Sequence, residues 1–306
     1  MSPELRPPDP LLWPALTVVG AVLAIGIALA LLITALRRTD AATRRSDWTR
    51  FLVLVGLVVA VLAAAALGPW GLLLPALILA RGGWRELLAA LEHRYGPAGP
   101  GGSTSLGCLG ILGGLEGETC WALGSALAAT WMALVLPLAA ARRPLPLHRV
   151  LGVGLGMWLI TAPLGLLLVL ADRQFGAFAF LLMIAMAHDG FSGGFGRLLG
   201  RHPLCPQLSP GKTWEGALGG LGACVALGAA LHFLVPAWPL ERVLFSAAAI
   251  GLLALGGDLL ASGIKREAGI KDFGRALPGI GGLLDKFDSL LFAAPGFYLL
   301  AHWGSP

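Results

Sequence analysis

Two stretches of this chain gather residues that could handle phosphate. The first reads His188-Asp189-Gly190-Phe191-Ser192-Gly193-Gly194-Phe195-Gly196-Arg197, then Leu208-Ser209-Pro210-Gly211-Lys212-Thr213-Trp214-Glu215-Gly216. Small residues here would let backbone N–H groups approach an anion, and Arg197 and Lys212 add the charge that holds one. The second reads Gly257-Asp258-Leu259-Leu260-Ala261-Ser262-Gly263-Ile264-Lys265-Arg266, then Lys271-Asp272-Phe273-Gly274, then Pro278-Gly279-Ile280-Gly281-Gly282-Leu283-Leu284-Asp285-Lys286-Phe287-Asp288. Asp258, Ser262 and Lys265 are spaced i, i+4, i+7, one helical face. Asp285 and Asp288 are spaced i, i+3 and share another. Two helices could aim three carboxylates at one point. Crowded carboxylates repel unless a cation joins them, and a hard ion such as Mg²⁺ suits oxygen ligands beside phosphates. With Lys265, Arg266, Lys271 and Arg275 between the acids, the pattern fits phosphoryl or nucleotidyl transfer, whose catalysis is mostly positioning and charge neutralisation.

Plainer readings exist for the same residues. Ser209 or Thr213 could cap a helix, and the cations could mark a membrane end. Gly211-Lys212-Thr213 is not a P-loop, because the earlier glycine of that motif falls on Pro206, and no strand is expected before it. His188 beside Asp189 could be a base or a ligand, but a lone interfacial histidine is more often structural. Cys108, Cys120, Cys205 and Cys224 show neither zinc-ligand spacing nor a disulfide framework.

The elements that must position these groups are membrane helices. The 306 residues are 57% hydrophobic and 13% charged, with a mean hydropathy of +0.79, too apolar for a water-soluble domain of this size. Long unbroken apolar runs exclude a barrel and predict an all-α, polytopic membrane bundle. Spans are expected near 11–36, 51–67, 69–80, 119–141, 148–171, 174–188, 216–236, 241–261 and 289–303, about nine within a range of eight to ten. The stretch 51–80 could instead be one kinked helix, and Leu106 to Leu115 a short span, a re-entrant piece or a loop. Trp13, Trp70, Trp121, Trp214, Trp238 and Trp303 fall near span ends, as interfacial anchors do. Residues 1–120 form N-terminal spans with a Gly-rich connection, and 121–306 a C-terminal catalytic region.

Basic loops 37–50 and 142–149 are expected in the cytoplasm, and span parity then puts 189–215 and 258–288 on that same face. The net charge of +5 sits mainly in such loops, and no basic stretch interleaved with aromatics suggests nucleic acid.

The residues resemble the CDP-diacylglycerol synthases (phosphatidate cytidylyltransferases). Their C-terminal signature is matched at Ser262, Lys265, Arg266, Lys271, Asp272, Pro278, Gly279, Gly281, Gly282, Asp285 and Asp288, with Asp258 just before it. Two earlier blocks are matched at Asp189, Gly196, Arg197, Ser209, Pro210, Lys212, Thr213, Trp214, Glu215 and Gly216. The resemblance covers about the C-terminal 120 residues. It departs at Ile280, where the family has His, at Lys286 for Arg, at Ser192-Gly193 for Ala-Tyr, and at Gly211 for Lys.

The resemblance implies transfer of CMP from CTP to a lipid phosphate, with phosphatidic acid the expected acceptor, in the bacterial inner membrane. It implies Mg²⁺, with or without a second cation, on Asp258, Asp285 and Asp288. Lys265, Arg266, Lys271 and Asp272 become catalytic candidates. Asp189, Arg197, Ser209, Lys212, Thr213, Ser262, Gly281 and Gly282 become substrate-binding candidates. CTP, the lipid phosphate and membrane lipids are the expected partners, and homodimerisation is left open. Three alternatives stand: a transporter whose acids bind ions, a family member that has lost catalysis, and an enzyme for a different lipid phosphate.

Overall fold

The computed structural model describes residues 10, 11, 13, 14, 16, 17, 20, 41–96, 102–140, 147–277 and 281–302. The expected span 11–36 lies largely outside them, and so do residues 37–40 and 142–146 of the two basic loops, Ile280 and Trp303. Among the described residues the chain is nearly all helix, with one small hairpin. The helices are α1 (Ala41–Ala66), α2 (Pro69–Tyr95), α3 (Gly102–Gly110), α4 (Thr119–Ala140), α5 (Leu147–Gly156), α6 (Ala162–Arg173), α7 (Phe175–Leu199), α8 (Trp214–Ala230), α9 (Leu240–Glu267) and α10 (Leu284–His302). The antiparallel strands β1 (Pro203–Cys205) and β2 (Ser209–Thr213) form the hairpin.

Several boundaries differ from the sequence reading for identifiable reasons. The stretch 51–80 is not one kinked helix. Gly68 adopts φ +82° and Pro69 opens α2 at its first position, where a missing N–H costs nothing. That second helix then runs on to Tyr95. The loop expected at 37–50 is helical from Ala41. The apolar run 106–115 is a short helix followed by a 3-10 turn, Leu112–Glu116. Helix α5 passes into α6 through a π-turn, Met157–Thr161, against which the fully buried Trp84 donates its Nε1–H to Thr161 Oγ1 at 3.0 Å.

The largest difference concerns 189–199, read as part of a polar segment beyond the span 174–188. Helix α7 continues through it to Leu199. Glycine is a poor helix former, and around Gly190 and Gly193 there is open space; the glycines that let two helices touch here belong to α8. A Cβ on Gly216 of α8 would lie 2.7 Å from the Ser192 carbonyl oxygen of α7, and one on Gly220 would lie 2.8 Å from Ser192 Cβ. Close packing through small residues is the usual device between membrane helices.

Helix α7 is the centre of the fold, buried on every face from Phe175 to His188. Among the described residues, three helical stretches are long and apolar enough to cross a membrane by length and composition: Val150–Arg173, Phe175–Leu199 and Leu240–Glu267. Val55–Ala66, Gly107–Glu116, Thr119–Val135 and Trp214–Ala230 are apolar but shorter, so these criteria do not establish about nine spans. Trp13, Trp70, Trp121 and Trp214 are exposed, as an interfacial belt requires. Trp238 instead packs on Phe297, centroids 6.0 Å apart, beneath the Arg242 guanidinium.

Candidate active site

Gly257 explains how the acids meet. A Cβ there would lie 2.6 Å from Phe292 Cβ and 2.9 Å from the Asp288 carbonyl oxygen, so only glycine lets α9 press against the start of α10. The next residue, Asp258, is thereby carried beside Asp288, which lies within the electrostatic reach of both Asp258 and Asp189. Helix α7 supplies Asp189, and Ser289 Oγ donates to its Oδ1 at 3.1 Å and to Asp288 Oδ1 at 3.3 Å.

Three lysines answer these acids. Lys212, at the end of the hairpin, pairs with Asp258 at 2.5 Å. Lys265 pairs with Asp285 at 2.8 Å, and Lys286 with Asp189 at 3.4 Å. The two charged segments therefore do converge, because two of these pairs join one segment to the other. Asp285 is the most enclosed of the three paired acids, with 5% of its side chain exposed. Its second oxygen, Oδ2, accepts the N–H groups of Phe273 at 2.7 Å and Gly282 at 2.9 Å. Ser262 Oγ donates to Asp258 Oδ1 at 3.4 Å, as their i, i+4 spacing requires, and the ammonium of Lys265 rests 5.3 Å from the Phe273 ring centroid.

Carboxylate oxygens are the donors that a hard cation takes. Four carboxylates face three lysines, and among the described residues Asp288 is the acid of this group with no lysine at ion-pair distance. That surplus charge in a buried position calls for positive charge or protonation. Among the described residues no group of three or more His, Cys, Asp or Glu is gathered as a ready ligand shell. Asp285 in particular spends its oxygens on Lys265 and two backbone donors.

The other expected residues do varied work. Thr213 caps α8, its Oγ1 accepting the Gly216 N–H at 3.2 Å, as the plainer reading had it. Arg266 donates to the carbonyls of Leu208 and Ile270, so it ties the hairpin to the turn after α9. Arg197 Nε donates to the Gly193 carbonyl one turn back. Lys271 and Asp272 are exposed, and Ser209 is half-buried at the start of β2. Gly281 has φ +128° and exchanges backbone hydrogen bonds with Leu277.

Sequence reasoning passed over Glu86. Its carboxylate accepts the N–H of Leu283 at 2.9 Å and of Leu284 at 2.8 Å, and no spacing rule links it to residues nearly two hundred positions away. Ser289 and the apolar crevice beside Asp288 were also not foreseen. That crevice is lined by Leu87, Leu159, Leu260, Ile264, Phe273 and Phe292 as well as Asp288.

Comparison with known proteins bears on what such a site does. The sequence pattern of the Cytidylyltransferase family matches residues 48–303. The chain is 46% identical over 105 residues to the phosphatidate cytidylyltransferase of Staphylococcus haemolyticus (33% of this chain, 39% of that protein). It is 41% identical over 133 residues to the phosphatidate cytidylyltransferase of Helicobacter pylori (43% and 50%). It is also 35% identical over 140 residues to the uncharacterized protein YnbB of Escherichia coli (45% and 47%). The matched stretch thus spans half or less of the length of each of these three relatives.

Proposed function

From the premise that the chain belongs to the cytidylyltransferase family, we propose that it transfers CMP from CTP to a membrane lipid phosphate, phosphatidic acid first among them. The products would be a CDP-lipid and pyrophosphate. The observation that carries this reading is the cluster of four acids and three lysines, drawn from both charged segments and bordered by an apolar crevice. Such a boundary suits a substrate with a charged head and a tail that stays in hydrocarbon.

In the proposed reaction an oxygen of the lipid phosphate attacks the α-phosphorus of CTP. The bond from that phosphorus to the β-phosphate oxygen breaks, and pyrophosphate leaves with its electron pair. A phosphate monoester has a second pKa of about 6 and is largely dianionic at neutral pH, so no side chain need remove a proton. The chain's task is to bring two anions together. Lys212 and Lys265, now paired with acids, together with Arg266 and Lys271 are the cations proposed to neutralise them. Asp189, Arg197, Ser209, Thr213, Ser262, Gly281 and Gly282 would line the same cavity, with Asp272 on the exposed turn. Asp258, Asp285 and Asp288 are proposed to hold Mg²⁺, with a second cation as an option. Bound there, Mg²⁺ would supply charge neutralisation and polarisation at the phosphates.

We place the protein in a bacterial inner membrane with this site facing the cytoplasm, where CTP is, on the strength of the Arg bias in its loops. The test is to incubate purified protein with CTP, Mg²⁺ and vesicles carrying phosphatidic acid, lysophosphatidic acid or a polyprenyl phosphate, and to identify lipids by mass spectrometry. CDP-diacylglycerol is the expected product. If none of these acceptors yields a CDP-lipid, the proposal is wrong.

A further inference from the structure

Helix α10 begins without a cap from its own neighbourhood. The residues before Leu284 are Gly281, Gly282 and Leu283, none with a side-chain oxygen to accept the first N–H groups, which every helix leaves unpaired. Asp285 takes the Gly282 N–H. The next two go to the two oxygens of Glu86 on α2, 2.9 and 2.8 Å away. A carboxylate there also complements the positive end of the helix dipole.

The surroundings are cut to fit that carboxylate. A Cβ on Gly274 or on Gly282 would lie 2.5 Å from a Glu86 oxygen, and one on Gly82 would lie 2.3 Å from Leu283 Cδ1. Further along α2, His93 Nδ1 lies 3.1 Å from the Ala268 carbonyl oxygen, and the Tyr95 hydroxyl donates to Glu267 Oε1 at 2.7 Å. Helix α2 therefore braces the connection from α9 to α10 at both ends.

We propose that Glu86 is a positioning residue for cytidylyl transfer: it fixes the first turn of α10 and with it the placement of Asp285 and Asp288. This rests on the function proposed above. Glu86 touches neither substrate nor reacting atoms, and it acts through the helix that carries the acids.

The test compares Glu86→Ala and Glu86→Gln with the parent in detergent, by steady-state kinetics and by hydrogen exchange read by mass spectrometry. Misplacement near an ångström lowers kcat about 100-fold, which is the expectation for Glu86→Ala. The Mg²⁺ concentration giving half the maximal rate should rise about tenfold, the effect of about 1.4 kcal/mol lost at the ligands. Glu86→Gln keeps one acceptor oxygen and should fall between. Amides of 283–287 should exchange faster in both variants while α7 and α8 stay protected. A uniform loss of folded enzyme would lower the rate without moving the Mg²⁺ dependence, and that result overturns the proposal. So does parental kcat in Glu86→Ala. If the parent makes no CDP-lipid, the proposed function fails but the exchange result still decides the role of Glu86. Unchanged exchange at 283–287 refutes it, and faster exchange confined there supports it.

Discussion

Two glutamates each hold a pair of backbone N–H groups, one in each charged segment, and they could hardly be placed more differently. Glu215 closes the hairpin segment locally, its Oε2 accepting the N–H groups of Arg201 at 3.0 Å and His202 at 3.2 Å. Its other oxygen lies 2.6 Å from His202 Nδ1, and that histidine ring is exposed. Glu86 comes from a helix in the other half of the chain and secures a turn beside the buried acids. The first arrangement is a local clamp that water can reach. The second makes the start of α10 depend on a distant helix. Chemistry that is concentrated in one segment can thus owe its geometry to another that carries no motif.

The acids are the sharpest way to break this contrast. Changing Asp288, Asp258 or Asp285 to Asn should lower turnover about 100- to 1000-fold, the scale of losing one preorganised electrostatic contact, while the detergent-purified protein remains folded. Near-parental turnover in any of the three would remove that residue from the site. A smaller effect separates two glycines, Gly282 of the matched signature and Gly211, which stands where the family has Lys. A Cβ on Gly282 runs into the Glu86 carboxylate, whereas around Gly211 there is open space. Gly282→Ala should destabilise by about 2 kcal/mol through strain and lost hydrogen bonds, and Gly211→Ala by less than about 0.5 kcal/mol. Thermal melts of the two variants should differ accordingly, and equal melting would show that Glu86 yields without consequence.

The smallest effect belongs to Glu215. The Arg201 N–H first, then the His202 side chain, hold its pKa at about 2 against an ordinary 4.5. A carboxylate depressed on folding stabilises above its unfolded pKa and loses that contribution as pH falls through the folded one. The hairpin should therefore loosen between about pH 4.5 and 2, read as faster amide exchange at 201–205. Glu215→Gln should remove that pH dependence, and a variant that keeps it would assign the effect to other groups.

Much of the site was legible because its residues obey spacing rules. Asp258, Ser262 and Lys265 had to share a face if 258–265 was helical, and Asp285 and Asp288 likewise on the next helix. What spacing could not supply was the partner of each charge. Lys212 and Lys265, read as phosphate ligands, rest on Asp258 and Asp285, contacts set by tertiary packing. The stretch 189–199 departed in the opposite sense. The span was expected to end at 188, but α7 runs on to Leu199, and the glycines that let α8 touch it are Gly216 and Gly220 of α8 itself. Glu86 left no local signal. The clue lay in the bare start of α10, a helix without a capping residue of its own.

The central claim is that the site transfers a nucleotidyl group rather than a terminal phosphate or an ion. Paired reactions with CTP labelled at the α- or the γ-phosphate, Mg²⁺ and phosphatidic acid vesicles test it directly. The α-label should enter the lipid fraction as a CDP-lipid while the γ-label appears only in water-soluble pyrophosphate. Transfer of the γ-label to lipid, or retention of both labels in CTP, would contradict it.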